Sequence, residues 1–527
     1  MSILSKSQGM GVAALLLAAS AILSRLMGLV RDKVISWQFG AGNEADIYFA
    51  AFVVPDLINY LLAGGFLGIT LMPLLARRFA EDEADGWKFF STVLTWMGLA
   101  ALLLTTAAMI FVAPLSRLVA PGLEGADLAR LQVFMRITLP AQFFFLTGSC
   151  VTSLLFLRRQ FAIPALAPLI YNGCIIFFGV SLPWAGLVEG MSGYCIGVVL
   201  GAALGTLILP LHMVRKTSFH FRPNFSHPLC KRFLLLALPL MLGQTITALD
   251  EQFLRIFGSL TGDGSVSLLN YSKRVAQVPV AMVGQAAALA SYPFLVSLLA
   301  KGDKQAFFEV LARALRTGLA LILPLALWIA VLAPSTFTLL FFGGRMTGVE
   351  IVRAAPLLQI LLCASPFWVL LELLTRGFYA QTDTLTPAVS GTILTLVFLP
   401  VYAYIAVPLG AWGVALTSTV SLVLYSIVLV VLWLGREGRA AFSGVLVTAC
   451  KSTLCALPGI AGGFFLDDWI HPLLDSVSPI LGAFAGLAAA GLLFLATFVP
   501  LGMKFCPEIF ARLQERWQAR RKKKTPS

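Results

Sequence analysis

Long apolar runs separated by short polar connections recur along the whole chain of 527 residues. About 20 consecutive apolar residues in a helix cross a bilayer, so runs of this length predict membrane-spanning helices. The second and eighth runs are long and contain Pro and Gly, which predicts kinks in those helices. About fourteen spans follow from the pattern, at residues 11–36, 47–75, 90–113, 132–156, 162–182, 186–211, 233–258, 266–299, 318–341, 351–375, 385–407, 410–434, 443–466 and 477–503.

The chain also resembles itself weakly, with a repeat unit of six spans. An even number of spans preserves orientation, so we expect two six-helix lobes related by an axis along the membrane normal. The lobes are predicted at 1–225 and 226–440, two additional spans at 441–503 and a basic cytoplasmic tail at 504–527. The matching residues are Phe39-Gly40, Pro55 and Pro73 in the first half and Phe257-Gly258, Pro279 and Pro293 in the second.

Composition supports an all-α polytopic membrane protein. Apolar residues make up 59% of the chain and charged residues only 12%, and the apolar excess is spread over its whole length. This distribution excludes a soluble enzyme with a single membrane anchor and also excludes a disordered chain. The net charge of +13 would suggest a nucleic-acid partner in a soluble protein, but here the location of the charges carries more information.

The basic residues predict the orientation of the chain. If the N-terminus is cytoplasmic, 27 basic residues fall in cytoplasmic segments and four fall in outward loops. A bias of this size predicts an even number of spans and both termini in the cytoplasm. The four outward residues are Arg117, Arg130, Arg345 and Arg353.

The tail has two readings of similar weight. Ile509, Phe510, Leu513 and Trp517 fall on one helical stripe, and five basic residues follow at 520–524. Such a helix would lie on an anionic cytoplasmic leaflet. The alternative is a disordered tail that only enforces the topology.

Seven basic residues fall inside the predicted spans. Each costs roughly 2.5–3.5 kcal/mol at the bilayer centre, so several together need partners, water or a ligand. Snorkelling explains Lys33 and Arg136, which lie near span ends. A local ion pair with Glu251, one turn earlier, would explain Arg255. The remaining residues are Arg25, Arg31, Lys273 and Arg274.

These remaining cations suggest a site for an anionic substrate. Asp32 lies seven residues after Arg25, on the same helical face, and a pair between them is the structural alternative. Lys273 beside Arg274 makes a doubly cationic position. Guanidinium groups from two lobes that meet in a cavity would bind a phosphate-bearing substrate, since guanidinium recognises phosphate through two hydrogen bonds.

Acidic residues also fall in or beside the spans. Such carboxylates are typical of Na⁺ or H⁺ sites or of partners for the arginines. For Asp383, four residues before Pro387, a cap at the N-terminus of a helix is an equal alternative. The set comprises Asp46, Asp56, Asp250, Glu251 and Asp383.

Other motifs, present or absent, limit the activities that this chain could have. The sequence has no GxxxxGK[ST] phosphate loop, so transport is expected to be driven without ATP hydrolysis in this chain. The four histidines fall in predicted loops and are assigned no chemistry. Glycines at a spacing of four predict a closely packed stripe on the sixth span, at Gly193, Gly197, Gly201 and Gly205.

Several further motifs occur in order along the chain, and any one of them alone would be a weak signal. They are Ser24 to Asp32, Phe39-Gly40-Ala41-Gly42 with Asp46, Pro55 to Gly65 with Pro73, Ala120-Pro121-Gly122, Gly264 to Ser267, Asn270-Tyr271, Arg274 to Pro279, and Phe378-Tyr379-Ala380 with Asp383-Thr384 and Pro387. Taken together, these motifs resemble one known family, the lipid II flippase MurJ (MviN) family.

The resemblance implies the fold of the multidrug/oligosaccharidyl-lipid/polysaccharide exporters, with two extra helices that form a lipid-accessible groove. It implies translocation of lipid II, an undecaprenyl-diphosphate-linked disaccharide-pentapeptide, from the cytoplasmic to the outer leaflet of a bacterial inner membrane by alternating access. No cofactor is expected beyond coupling to Na⁺ or H⁺, and the protein is expected to be a monomer without a nucleic-acid partner.

The resemblance also implies roles for individual residues. The family's cavity arginines fall on Arg25, Arg31 and Arg274, with Lys273 adding positive charge, and Asp32 and Asp46 are acidic cavity or gating residues. A sodium site would use Asp250 and Asp383, although Tyr379 stands where an amide would help. The chain departs from some members by having Asn59 and Gly64 in the second span and Lys273 before the arginine of the eighth.

Three other functions stay open at this point. The chain could export another lipid-linked oligosaccharide, which the sequence does not distinguish from lipid II. It could export cationic drugs, but such a cavity should be acidic or aromatic. It could be a membrane enzyme or scaffold that only binds lipid diphosphates, although the repeat favours transport.

Overall fold

The computed structural model describes residues 10–63, 70–215, 220–507 and 509 of the chain. Helices form almost all of the regular structure in these ranges, joined by turns and one isolated bridge between Gly343 and Met346. The expected all-helical class is confirmed. Gly64 and most of the tail lie outside the described residues.

Contacts divide the chain into two compact units, Met1–Ser267 and Leu268–Ser527. The helix at predicted span seven belongs to the first unit, and the lobe limits at 225 and 440 stay a prediction. The helices that begin in the first unit are α1 (Met10–Phe39), α2 (Asn43–Ala50), α3 (Val53–Ala63), α4 (Met72–Glu81), α5 (Glu83–Ile110), α6 (Val112–Val119), α7 (Gly125–Thr138), α8 (Ala141–Leu157), α9 (Ala162–Trp184), α10 (Ser192–Gly201), α11 (Leu209–Arg215), α12 (Leu229–Gly258) and α13 (Ser265–Val280).

The second unit packs around aromatic side chains from three helices. Trp433 lies edge-on to Phe378, with 4.9 Å between ring centres, and Phe307 stacks on Trp433 at 6.3 Å. The helices of this unit are α14 (Ala286–Ala300), α15 (Lys304–Val331), α16 (Ala333–Phe341), α17 (Gly348–Cys363), α18 (Ser365–Ala380), α19 (Leu385–Val401), α20 (Gly410–Glu437), α21 (Val445–Asp475) and α22 (Pro479–Phe505).

Eleven segments of the described chain are long and apolar enough to cross a membrane. One of them, Leu385–Glu437, has 53 residues and holds both α19 and α20. Residues 402–409 join these two helices, and α20 begins at Gly410, which has a φ of 72°. In addition, α1 and α12 each have 30 residues at the positions of predicted spans one and seven. A multi-pass helical protein is therefore confirmed, whereas the count of fourteen and the six-span repeat stay predictions.

Both predicted kinks coincide with breaks in helical geometry. The second span divides into α2 and α3 just before Pro55. In the eighth span, α13 contains Pro279 and is followed by a π-helical segment, Ala281–Gln285, before α14. Proline removes one backbone donor and clashes with the preceding turn, so the hydrogen-bond pattern must change there.

The glycine stripe on the sixth span lies against α9, as its spacing predicts. A Cβ atom at any of the four positions would stand 2.8–2.9 Å from a main-chain oxygen of α9. Hydrogen is thus the only side chain that allows the two helices to approach this closely. The stripe runs from α10 into a π-helical segment, Ala202–Ile208, and its partners are the carbonyls of Phe178, Cys174, Tyr171 and Ala167.

Candidate functional site

Arg31 lies in a polar cluster between α1 and α9. Its Nε and Nη2 atoms donate to Asp32 Oδ1 at 3.0 and 2.8 Å, and its Nη1 donates to Asn172 Oδ1 at 3.2 Å. The Asp32 side chain is only 3% exposed, so removal of the Arg31 charge would take an ion pair from a buried carboxylate. The carboxylate that the sequence matched with Arg25 thus binds Arg31, its immediate neighbour.

The other predicted phosphate-binding cations keep more exposure. Arg25 in α1 and Arg274 in α13 are exposed. Lys273 is half-buried, and its ammonium group lies 4.7 Å from the centre of the Trp368 ring in α18, which is a cation–π contact. Exposed guanidinium groups can bind phosphate oxygens in pairs, so their chemistry suits the predicted ligand. The grouping of these cations in one cavity stays a prediction.

Asp46 binds main-chain amides at the start of α13. The amides of Gly264 and Ser267 donate to its two carboxylate oxygens, each at 2.7 Å, and the residue is 4% exposed. Gly264 has a φ of 80°, and a Cβ atom there would collide with the main-chain oxygen of Ala41. A helix N-terminus carries partial positive charge and unpaired amides, both of which stabilise a carboxylate. These bonds give Asp46 a structural role beside the gating role that the resemblance implies.

Arg255 has a partner that local spacing did not indicate. Its Nη1 atom donates to Asp56 Oδ2 at 2.7 Å and to Gln252 Oε1 at 3.0 Å, which ties α12 to α3. Arg255 is 9% exposed. The sequence proposed Glu251 as the partner, and the Glu251 side chain lies outside the described residues. Asp56 was named among the acids that could pair with arginines, and this interpretation is confirmed.

Asp383 caps a helix, as one of its two sequence interpretations predicted. Its Oδ1 accepts from the Thr386 amide at 2.9 Å, and its Oδ2 accepts from Thr386 Oγ1 at 2.6 Å and from Arg436 Nη1 at 2.7 Å. Burial alone would raise the pKa of Asp383, but these hydrogen bonds and the Arg436 charge hold it below its usual value.

The predicted sodium site gains no support from this environment. Both oxygens of Asp383 accept hydrogen bonds, and the Arg436 guanidinium group already balances the carboxylate, so the sodium site stays a prediction. The side chain of Asp250, in α12, lies outside the described residues. Among the residues described, no group of three or more His, Cys, Asp and Glu side chains could hold a metal ion.

A second polar cluster joins α16 to α21 and was missed by the sequence. Ser335 Oγ donates to Asp467 Oδ2 at 2.5 Å and lies 3.1 Å from His471 Nδ1. His471 Nε2 in turn lies 3.4 Å from an oxygen of Asp475. The sequence predicts a loop at His471, but this residue lies in the last turns of α21. Its spacing of four from Asp467 and from Asp475 was the signal that could have shown one helical face.

Comparison with known families gives one match over most of the chain. A family model described as "Lipid II flippase MurJ" matches residues 35–477. A protein of Rhizobium meliloti named "Probable lipid II flippase MurJ" is 27% identical over 493 residues, which cover 92% of this chain and 91% of that protein. A protein of Burkholderia cenocepacia named "Lipid II flippase MurJ" is 27% identical over 433 residues, covering 80% and 82%.

Solved structures show the same fold. One described as "Lipid II flippase MurJ, inward closed conformation" is similar with a TM-score of 0.76 and 21% identity, and the match covers 93% of this chain and 99% of that one. An inward-facing multidrug resistance MATE family transporter of the MOP superfamily is similar with a TM-score of 0.64 and 18% identity, over 83% and 99%. The exporter fold that the motifs imply is confirmed.

Proposed function

This chain belongs to the lipid II flippase MurJ family, and from that premise we propose that it translocates lipid II from the inner to the outer leaflet of the bacterial cytoplasmic membrane. The observation that carries the proposal is the family match over residues 35–477, which spans most of both compact units. The exposed arginines in α1 and α13 suit the diphosphate of such a substrate.

In this proposal Arg25, Arg31 and Arg274 hold the diphosphate while the head group passes through a hydrated cavity between two six-helix lobes. Asp32 already balances the charge of Arg31. Lys273 and the exposed arginines Arg25 and Arg274 add positive charge that a diphosphate would neutralise. A guanidinium group offers paired donors in a fixed plane, so it orients the phosphate as well as attracting it.

The prenyl tail stays in lipid along α21 and α22. Both helices expose large apolar side chains, which the lipid would cover. Transport proceeds by alternating access, and closure around the bound head group favours the outward state because a ligand shifts an equilibrium towards the state that binds it better. The exposed side chains include Phe464, Phe465, Leu492 and Leu495.

We also propose an oligomeric state, a membrane topology and an energy source for this protein. It is a monomeric inner-membrane protein with both termini in the cytoplasm, and its basic tail lies on the anionic leaflet. It couples transport to a Na⁺ or H⁺ gradient and hydrolyses no ATP. Asp250 is the candidate for the coupling ion, since Asp383 would first have to release Arg436.

A related exporter of another lipid-linked oligosaccharide is the second candidate. The observation that favours it is the set of departures at Asn59, Gly64 and Lys273 from residues found in some members of the family. These positions concern contacts to the substrate, so a different head group could account for them.

Complementation of a bacterium depleted of its own lipid II flippase tests the proposal. Expression of this chain should restore growth and the appearance of lipid II in the outer leaflet. A cell in which the chain is made and inserted, but in which lipid II stays in the inner leaflet, would support the second candidate instead.

The same cells test the diphosphate site. We expect Arg25→Ala and Arg274→Ala to slow lipid II translocation by roughly ten- to a hundredfold, the loss expected from removing charged hydrogen bonds. The matched control is Arg439→Ala, an exposed arginine in the loop between α20 and α21, which should leave the rate unchanged. Undiminished translocation in both cavity variants would contradict the assigned role.

A further inference from the structure

Two adjoining cavities lie along one face of α5 in the first unit. An apolar groove of about 460 Å³ and a polar pocket of about 970 Å³ are both lined by Pro223. The α5 residues that line them follow one another at spacings of one, three or four, so a single helical face runs from the pocket into the groove. These residues are Ala84, Trp87, Lys88 and Ser91 in the pocket and Leu94, Thr95, Gly98 and Leu102 in the groove.

The groove has the dimensions and lining of a site for a hydrocarbon chain. Side chains of α5, α8, the sixth span and the segment around residue 222 form most of it, and most of these side chains are apolar, including Phe143 and Leu207. From Lys88 to Leu102 the face of α5 extends about 21 Å at 1.5 Å per residue. One leaflet of a membrane has a hydrocarbon depth of about 15 Å, so the groove and pocket together span one leaflet and its head groups.

The end of this surface that holds the polar pocket is positively charged. Lys88 and Arg222 line the pocket, Arg215 lies at the groove, and all three side chains are exposed. Glu83 also lines the pocket, but its carboxylate accepts a hydrogen bond from Trp87 Nε1 at 3.5 Å. Two cations, Lys88 and Arg222, against one acid leave the pocket positive, and Ser91 and Asn224 add polar groups to its lining.

A short segment, residues 220–225, holds the two cavities side by side. The Arg222 amide donates to Ser91 Oγ at 3.3 Å, Asn224 Nδ2 donates to Thr92 Oγ1 at 3.0 Å, and Trp96 Nε1 donates to the Phe225 carbonyl at 3.1 Å. The segment therefore follows α5 rather than extending away from it. Phe221 contributes to the groove and Arg222 to the pocket, so adjacent residues divide the apolar from the cationic end.

We infer that this surface binds one phospholipid with an anionic head group. An acyl chain would occupy the groove, and the phosphate would lie between Arg215, Arg222 and Lys88. The order of the two cavities matches the order of a lipid, with an apolar end deep in the span and a cationic end at the start of α5. An anionic membrane lipid is the occupant because it supplies both parts in one molecule and is present at high concentration in the leaflet.

Native mass spectrometry of the purified full-length chain tests this inference. Delipidated protein is titrated with phosphatidylglycerol, with phosphatidylcholine and with glycerol 3-phosphate. We expect one phosphatidylglycerol to be retained in preference to phosphatidylcholine, and no retention of glycerol 3-phosphate. In Arg215→Gln and Arg222→Gln the preference should fall by roughly fivefold for each cation removed, because a basic residue near an anionic surface contributes this much.

A groove-filling variant separates the acyl chain from the head group. A Cβ atom at Gly98 would lie 3.6 Å from Thr147, an ordinary contact, so Gly98→Leu should fold and place its side chain in the groove. It should reduce binding of both lipids. The matched controls are Gly435→Leu, at a helical glycine with no atom near its Cβ position, and Arg439→Gln, at an exposed arginine.

Several results of these binding measurements would contradict the inference. Equal retention of both lipids by the unaltered protein, or unchanged binding in the arginine and Gly98 variants, would overturn the inference. Displacement of phosphatidylglycerol by equimolar undecaprenyl phosphate would also overturn it, since the surface would then select prenyl lipids. The measurement requires no translocation, so its result is independent of the complementation assay.

Discussion

A single carboxylate, Asp46, shows how a buried charge is stabilised in this protein without a basic side chain. Its two oxygens accept the Gly264 and Ser267 amides at the N-terminus of α13. The charge is balanced by the helix end, and two amides that would otherwise lack partners are satisfied. The residue thus fixes the start of α13, the helix that also carries Lys273 and Arg274.

Removal of this carboxylate should destabilise the protein measurably. We expect Asp46→Ala to lower the free energy of unfolding by roughly 2 kcal/mol, because the variant loses a helix cap and leaves two buried amides unpaired. Asp46→Asn retains one acceptor oxygen and should cost about half as much. Denaturant titration of the purified chain in detergent measures both values.

The matched control is Asp303, which caps α15 in an exposed setting. Its Oδ1 accepts the Ala306 amide at 3.0 Å. Water can replace this bond, so Asp303→Ala should cost only about 0.5 kcal/mol. If the two alanine variants lost the same stability, burial of the α13 amides would not be the cause.

Between elements, the close contact of α9 with α10 depends on the absence of side chains. Four glycines place the two backbones within reach of each other, and each Cβ position is closed by a carbonyl oxygen of α9. In a bilayer, helices associate through such close packing because lipid is as apolar as the helix surface. The spacing of four in the sequence predicted a closely packed stripe, and the structure shows that its partner is α9.

Alanine substitutions should therefore have opposite signs at different glycines. Gly197→Ala would place a Cβ atom 2.8 Å from the Cys174 oxygen, and we expect it to lower the free energy of unfolding by roughly 1–3 kcal/mol. Gly435→Ala meets no neighbour and should raise it by about 0.5–1 kcal/mol, since alanine favours the helix. Thermal unfolding followed by intrinsic fluorescence compares them, and a loss of similar size at both sites would refute the packing argument.

For the whole molecule, the distribution of basic residues predicts which loops face the cytoplasm. The exposed C-cap of α14, Lys301, should lie inside, and Val349 at the start of α17, which is 70% exposed, should lie outside. These two positions flank the ninth predicted span, residues 318–341, so they test the alternation directly.

Cysteine labelling checks this orientation. In a chain whose eight native cysteines are replaced, Val349→Cys should react with a membrane-impermeant maleimide on intact spheroplasts. Lys301→Cys should react only after the membrane is permeabilised. The reverse pattern would place the N-terminus outside and would contradict the predicted topology.

The sequence by itself determined the class, the family and the position of most helices. These properties can be inferred from the order of the residues alone, because the bilayer requires long apolar helices and the family motifs follow one another along the chain. The same reasoning found the kinks at Pro55 and Pro279, the glycine stripe and the cap at Asp383, all of which depend on local spacing.

Only the tertiary structure decided which groups satisfy the buried charges. Asp56 meets Arg255 across 199 residues of sequence, and Asp46 meets Gly264 across 218. Asp32, which lies on the same helical face as Arg25, binds its immediate neighbour Arg31. A charge pairs with whatever group packing brings within about 3 Å, and packing depends on how distant helices associate, which no local spacing encodes.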